Sequence, residues 1–228
     1  MLSLRNLLVA IAGATAVLSA PADKDLARRA SAELAERSET LTTSGTGTYG
    51  SYYYSFYVES NTGASLTLGT GTYSLKWSSS STDVVAGIGW ETGSARTVTY
   101  SGSIDATGDS LIALYGWTTS PLVEYYVIET YGTYNPGSAG THKGTVTSDG
   151  AKYDIYEVVR SNAPSIEGTQ TFNQYLSIRQ SKRTSGTITF QNHITAWKNL
   201  GLTLGTYNYQ IIATEGYESS GTSSVTIS

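Results

Sequence analysis

Two glutamates stand where a charge is expensive. In Pro121-Leu-Val-Glu124-Tyr-Tyr-Val-Ile-Glu129 a carboxylate interrupts an apolar, aromatic run, and the two-residue side-chain period of a strand puts Glu124 on one face with Tyr126. In Tyr207-Asn-Tyr209-Gln-Ile-Ile-Ala-Thr-Glu215-Gly-Tyr217 the same period aligns Glu215 with Tyr209 and Tyr217. A carboxylate in such surroundings costs free energy unless it is paired or used. Together the two meet the demands of glycoside hydrolysis, which needs one neutral carboxylic acid to protonate the leaving oxygen and one ionised group to attack the sugar or activate water. Periodicity alone leaves a second reading open, in which each glutamate is a surface ion pair or a hydrogen-bonded structural group. Glu129 falls on the opposite strand face from Glu124, and Glu129, Glu157, Glu218 and Asp154 read as structural or surface groups.

Other chemistries find little support. The two histidines, His142 and His193, lie far apart and outside any metal-ligand spacing, and there is no cysteine to complete a zinc site, so neither a metal nor another cofactor is expected. No G-x-S-x-G elbow occurs. His193 reads as a helix-terminus residue. Gly45-Thr-Gly47-Thr-Tyr-Gly50 matches G-x-G-x-x-G but has no strand before it and a strand rather than a helix after it, which argues against phosphate binding.

Stepping outward along the chain, the amino terminus has a short positive region at Arg5, an apolar run from Leu7 to Leu18 and small residues Ala20 and Ala22. This predicts a signal peptide over residues 1–22, too short to span a bilayer, and a secreted, extracellular protein with no membrane association. Residues 23–37, with mixed charge and Arg28-Arg29 and Arg37, read as a propeptide. Residues 38–228 then form one domain, which must hold together without disulfides because the chain has no cysteine. That domain carries 9 Lys/Arg against 14 Asp/Glu, a net charge of −5. Such a surface repels phosphate backbones, so nucleic acid is excluded and a neutral polymer fits better.

From Tyr52 onward, runs rich in Thr, Ser, Tyr, Val and Gly are broken by turn residues at short intervals, the pattern of an all-β sandwich of antiparallel sheets. Strands are expected at 51–58, 72–77, 96–101, 111–117, 122–131, 152–160, 187–190, 207–213 and 223–227. The exception is 192–201, where Ile194, Trp197 and Leu200 recur at helical spacing and Gly201 stands as a C-cap, predicting the one α-helix of the domain. Tyrosine is abundant, at 18 of 228 residues. Composition leaves two explanations for this: a wet surface lined with rings on which sugars stack, or the high strand propensity of tyrosine on half-exposed sheet faces.

The segments 121–129 and Ala213-Thr-Glu-Gly-Tyr-Glu-Ser-Ser-Gly221 closely resemble the two active-site signatures of glycoside hydrolase family 11 xylanases. The similarity runs from about Tyr52 to the end and includes Tyr52-Tyr-Tyr-Ser-Phe56, Leu114-Tyr-Gly-Trp117, Asn162-Ala-Pro-Ser-Ile166 and Gln174-Tyr-Leu-Ser-Ile-Arg-Gln-Ser-Lys-Arg183. The resemblance implies a β-jelly roll of two twisted sheets with a cleft across the concave one and a thumb hairpin tipped by residues 162–168. It also implies endo-hydrolysis of β-1,4-xylosidic bonds in xylan by a retaining double displacement, with Glu124 as nucleophile, Glu215 as acid/base and a monomer as the working unit. Tyr115, Tyr126, Arg160, Pro164, Gln174 and Tyr209 match the family's cleft residues, as do Trp117, Tyr134 and Tyr217. Asp83 stands where the family has Asn or Asp beside the acid/base. There an Asp goes with an acidic working range, and a coupled Asp–Glu pair would give one; a merely solvated loop Asp is the other reading. Tyr57 stands where the family often has Trp, and Leu176 replaces a common aromatic, which bears on the strength of the sugar subsites. The competing functions are a non-catalytic carbohydrate-binding β-sandwich, which has no need of two tyrosine-flanked carboxylates, and a cellulase on a similar jelly roll.

Overall fold

Alternation of apolar and polar residues becomes alternation between two buried layers in the computed structural model, which describes residues 38–59, 63–78 and 83–228. The expected signal peptide and propeptide lie outside the described residues. The strands are β1 (Glu39–Leu41), β2 (Gly45–Tyr49), β3 (Tyr52–Val58), β4 (Ser65–Gly69), β5 (Thr72–Trp77), β6 (Asp83–Trp90), β7 (Thr97–Thr119), β8 (Val123–Tyr131), β9 (Thr141–Ser148), β10 (Ala151–Ser165), β11 (Gly168–Arg179), β12 (Ser185–Thr189) and β13 (Thr206–Ile227). A 3-10 turn (Pro136–Ala139) and one helix, α1 (Phe190–Asn199), complete the described elements.

Two long strands make the sandwich. The first half of β13 pairs Thr206–Tyr217 with Thr119–Asp109 of β7, and after a register shift its second half pairs Ser220–Ile227 with Thr107–Tyr100. The second halves of this ladder extend through β5 to β4 and β1 on one side and to β12 on the other, forming the back sheet. The first halves are flanked by β6, β3 and β2 on one side and by β8, β11, β10 and β9 on the other, forming the sheet that carries the two glutamates. The segments expected as separate strands at 96–101 and 111–117 are therefore one strand, as are those at 207–213 and 223–227. A turn signal such as Gly108 bends a strand from one layer into the other without ending it. The fold is an open jelly-roll sandwich, as expected.

Side-chain parity divides the interior. Ile112, Leu114, Tyr125 and Val127 point between the sheets onto Leu66, Tyr73, Leu75 and Trp197. Their strand neighbours Leu111, Ala113, Tyr115, Trp117, Tyr126 and Ile128 form a second apolar cluster on the other face of the same sheet. β8 is covered on both sides, which explains why it reads as a nearly continuous apolar run, and its ladder with β11 is parallel among otherwise antiparallel ladders.

Two local expectations are corrected. The Gly45–Gly50 run does have a strand before it, β1, and Gly45–Tyr49 is itself strand β2, paired with β3. His193 is not at a helix end: α1 starts at Phe190 after the N-cap Thr189, so His193 sits within the helix and is fully buried against Tyr153 and Trp197. Gly201, just past the C-cap Leu200, takes a φ of +79° as its type suggests. β6 was hidden by Gly87 and Gly89, whose hydrogens are required because a Cβ at either would collide with the Ile212 or Gln210 carbonyl of β13.

Candidate active site

The functional side chains are gathered from neighbouring strands by register. Glu124 on β8 lies opposite Trp117 on β7, and Tyr126 lies opposite Tyr115. Across the parallel ladder Gln174 of β11 sits beside Glu124. On the other side of β7, Tyr209, Glu215 and Tyr217 come from β13, with Tyr217 paired to Asp83 at the start of β6. Arg160 and Pro164 come from β10, in the hairpin with β11, where a register shift after Arg160 and a φ of +53° at Asn162 redirect the strand. This is where the thumb was expected.

All thirteen residues singled out from the sequence line one cleft of about 940 Å³. Tyr57 on β3, Tyr134 before the 3-10 turn and Tyr217 expose 37, 43 and 48 % of their surface there. Tyr73, Tyr100 and Tyr153 are by contrast buried between the sheets with their phenols bonded to Thr214 or Glu129. The abundant tyrosines thus serve both as wet rings and as partners for buried polar groups. Sequence reasoning missed Glu59 and Asp109 in the cleft lining, where no local pattern distinguishes them from surface acids.

Glu124 is 7 % exposed and fully engaged. Its Oε1 accepts from Tyr115 at 2.8 Å and Tyr126 at 3.0 Å, and its Oε2 accepts from Gln174 Nε2 at 2.6 Å. Burial raises its pKa above the ordinary range, while these three donors and the nearby Arg160 favour the anion. Glu215 is half-buried, and its Oε2 lies 3.1 Å from the same Tyr126 hydroxyl. Its pKa is pushed well above the ordinary value, first by burial and then by the negative charges of Asp83 and Glu124. Asp83 is raised to about 6, again by burial first, then by Glu124 and Glu59, with Arg160 opposing. All three carboxyl groups are thus pushed upward by burial, and Glu124 alone has three hydrogen-bond donors that oppose the shift by favouring its anion. Among the described residues no cluster of His, Cys, Asp and Glu could hold a metal ion.

Acids set aside from the chemistry behave accordingly. Glu129 is fully buried on the far face, pairing with Arg183 and accepting from Tyr100 and Tyr153. Glu157 pairs with Lys143 and Asn173, and Asp154 accepts from Gln180.

The sequence pattern described as Glycosyl hydrolases family 11 matches residues 49–226. The chain is 51% identical over 230 residues to "Endo-1,4-beta-xylanase 11A" of Botryotinia fuckeliana, with all of both chains covered. It is 50% identical to "Endo-1,4-beta-xylanase B" of Phanerodontia chrysosporium, covering all of this chain and 76% of the relative, and 46% identical to "Ethylene-inducing xylanase 1" of Verticillium dahliae over all of both. With a family match over most of its length and full-length relatives near half identity, the chain belongs to glycosyl hydrolase family 11.

Proposed function

We propose that this glycosidase is an endo-1,4-β-xylanase that cleaves xylan by retaining double displacement, with Glu124 as nucleophile and Glu215 as acid/base. The observation that carries the mechanism is the single Tyr126 hydroxyl lying 3.0 Å from Glu124 and 3.1 Å from Glu215. One shared hydroxyl limits the gap between those two oxygens to about 6 Å, short of the separation of ~6.5–9.5 Å that an inverting enzyme needs to seat a water.

The phenol has one proton, and directing it to the anionic Glu124 leaves its oxygen to accept the proton of a neutral Glu215. As the glycosidic bond breaks, Glu215 gives its proton to the leaving oxygen and Glu124 attacks the anomeric carbon. Esterification removes the charge on Glu124, so Glu215, now with one negative neighbour fewer, is more acidic and takes a proton from the incoming water. Tyr115, Tyr126 and Gln174 hold the nucleophile. Tyr57, Tyr134, Tyr209 and Tyr217 offer rings to sugars along the cleft, with Trp117 and Pro164 completing its walls and Arg160 supplying the counter-charge. An optimum on the acidic side follows from Asp83 sharing the acid/base proton. The working enzyme is a secreted monomer, formed after removal of residues 1–37.

Proton NMR of xylo-oligosaccharide cleavage tests this directly. The β-anomer should appear first, and both Glu124→Gln and Glu215→Gln should lose hydrolysis while still binding xylan. A first-formed α-anomer would rule out retention. Binding without hydrolysis in the wild type would instead make the protein a carbohydrate-binding sandwich, and faster cleavage of carboxymethylcellulose than of xylan would make it a cellulase.

A further inference from the structure

Behind the nucleophile lies a hydrogen-bond chain whose direction is fixed by its first member. Trp117 Nε1 donates to the Tyr115 hydroxyl at 2.7 Å, and that hydroxyl donates to Glu124 Oε1 at 2.8 Å. An indole N–H only donates, so the Tyr115 oxygen accepts from it and its single proton must point away from the indole, where the Glu124 carboxylate, which as an anion can only accept, takes it. We propose that Trp117 is a positioning residue for catalysis: it aims the Tyr115 proton at the nucleophile and thereby holds Glu124 as the anion that attacks. This deepens the double-displacement reading and rests on it.

The surroundings leave the hydroxyl proton as the one free variable. The Tyr115 ring is held 4.7 Å from that of Tyr126 and 5.9 Å from that of Tyr209. Trp117 is 4 % exposed and packs its ring 4.9 Å from Phe172, so the indole is clamped from behind. Neither ring has room to move, but a phenolic O–H turns freely, and Tyr209 is an alternative hydrogen-bond neighbour for it. Without the indole donor, the Tyr115 proton divides its time between Tyr209 and Glu124. The nucleophile then spends part of each turnover with one charge-assisted bond fewer, in a pocket where burial already opposes its ionisation.

The test is a double-mutant cycle on purified wild type, Trp117→Phe, Tyr115→Phe and the double variant, assayed on soluble xylan across pH. Trp117→Phe keeps an aromatic ring against Phe172 and removes only the N–H and part of the ring area. The expected result is a fall in kcat of about tenfold with KM nearly unchanged, the loss of a directed hydrogen bond to a charged group. The acid limb, which reports ionisation of Glu124, should rise by about half a pH unit. On the Tyr115→Phe background the same substitution should cost nothing further. Equal losses of kcat in both backgrounds, or a rise in KM with the acid limb unmoved, would overturn the proposal and make Trp117 a surface on which a sugar rests. Should Trp117→Phe melt below the assay temperature, benzothienylalanine at position 117, which replaces the N–H by sulfur at nearly constant shape, must give the same signature. Xylan hydrolysis by the wild type and its loss in Glu124→Gln test the underlying reaction separately, so failure of this relay leaves that reading standing or falling on its own.

Discussion

Asp83→Asn distinguishes two ways in which Asp83 can act on the acid/base, because they move the alkaline limb of kcat/KM in opposite directions. If Asp83 is only a negative charge near Glu215, its removal lowers the Glu215 pKa and brings the limb down, since that charge is among the causes of the raised value. If Asp83 must hold a proton for Glu215 to function, the limb is set by the Asp83 titration at about 6, and Asn removes it. The limb then rises to the pKa of Glu215 itself, which burial and Glu124 still keep well above the ordinary range. The surroundings favour the second case. Asp83 Oδ1 is buried with no hydrogen-bond partner among the described residues, and the charges acting on it are Glu124 and Glu59 against the single guanidinium of Arg160. An ionised carboxylate so placed is poorly compensated, whereas a protonated one gains a donor it can turn toward Glu215. The expected shift is upward by at least about one pH unit, which corresponds to 1.36 kcal/mol of altered protonation equilibrium. The assay is kcat/KM on soluble xylan from about pH 3 to 9, which reports free-enzyme ionisations. A limb unchanged or lowered in Asp83→Asn refutes the shared proton and leaves Asp83 as a charge alone.

Tyr126→Phe removes the one hydroxyl common to both carboxylates, and kcat should fall by roughly 10²-fold or more with KM little altered; a fall of less than threefold would show the bridge to be incidental. Glu129→Gln leaves the Arg183 guanidinium without its buried partner and should destabilise the fold by about 3 kcal/mol, a melting shift of ~6–12 °C, without changing the pH profile. His193 is held down to about 4 by burial, with Arg183 assisting and Asp149 opposing. Its folded-state pKa lies below the unfolded one, so its contribution to stability is full above about pH 6.5 and is lost as the pH falls toward 4. Relative to wild type, His193→Leu should therefore gain about 3 kcal/mol between pH 7 and pH 4 in urea unfolding, and a constant difference between the two proteins would show that the ring does not titrate there.

What the sequence reveals here is what parity reveals. Glu124 and Glu129 lie five residues apart in one strand, and the odd spacing alone sends one to the cleft and the other between the sheets, where Arg183 meets it. The same rule separates Tyr126 from Tyr125 and Tyr115 from Leu114. Parity cannot say which strand lies beside which, and the site is made of that information. Glu124 and Glu215 meet through Tyr126 although β7 lies between their strands. Gln174 reaches Glu124, and the Arg160 charge lies near it, because β11 pairs with β8 and β10 with β11. Pairings across so many residues leave no local trace, so only motif resemblance points to the cleft, and strands lacking clean alternation, such as β6 and β11, give no periodic signal. Trp117 shows the cost most clearly. As a sequence position it is an aromatic residue near the chemistry, and only its cross-strand register with Glu124 and the single proton of Tyr115 turn it from one more ring in a tyrosine-rich cleft into the group that decides where that proton points.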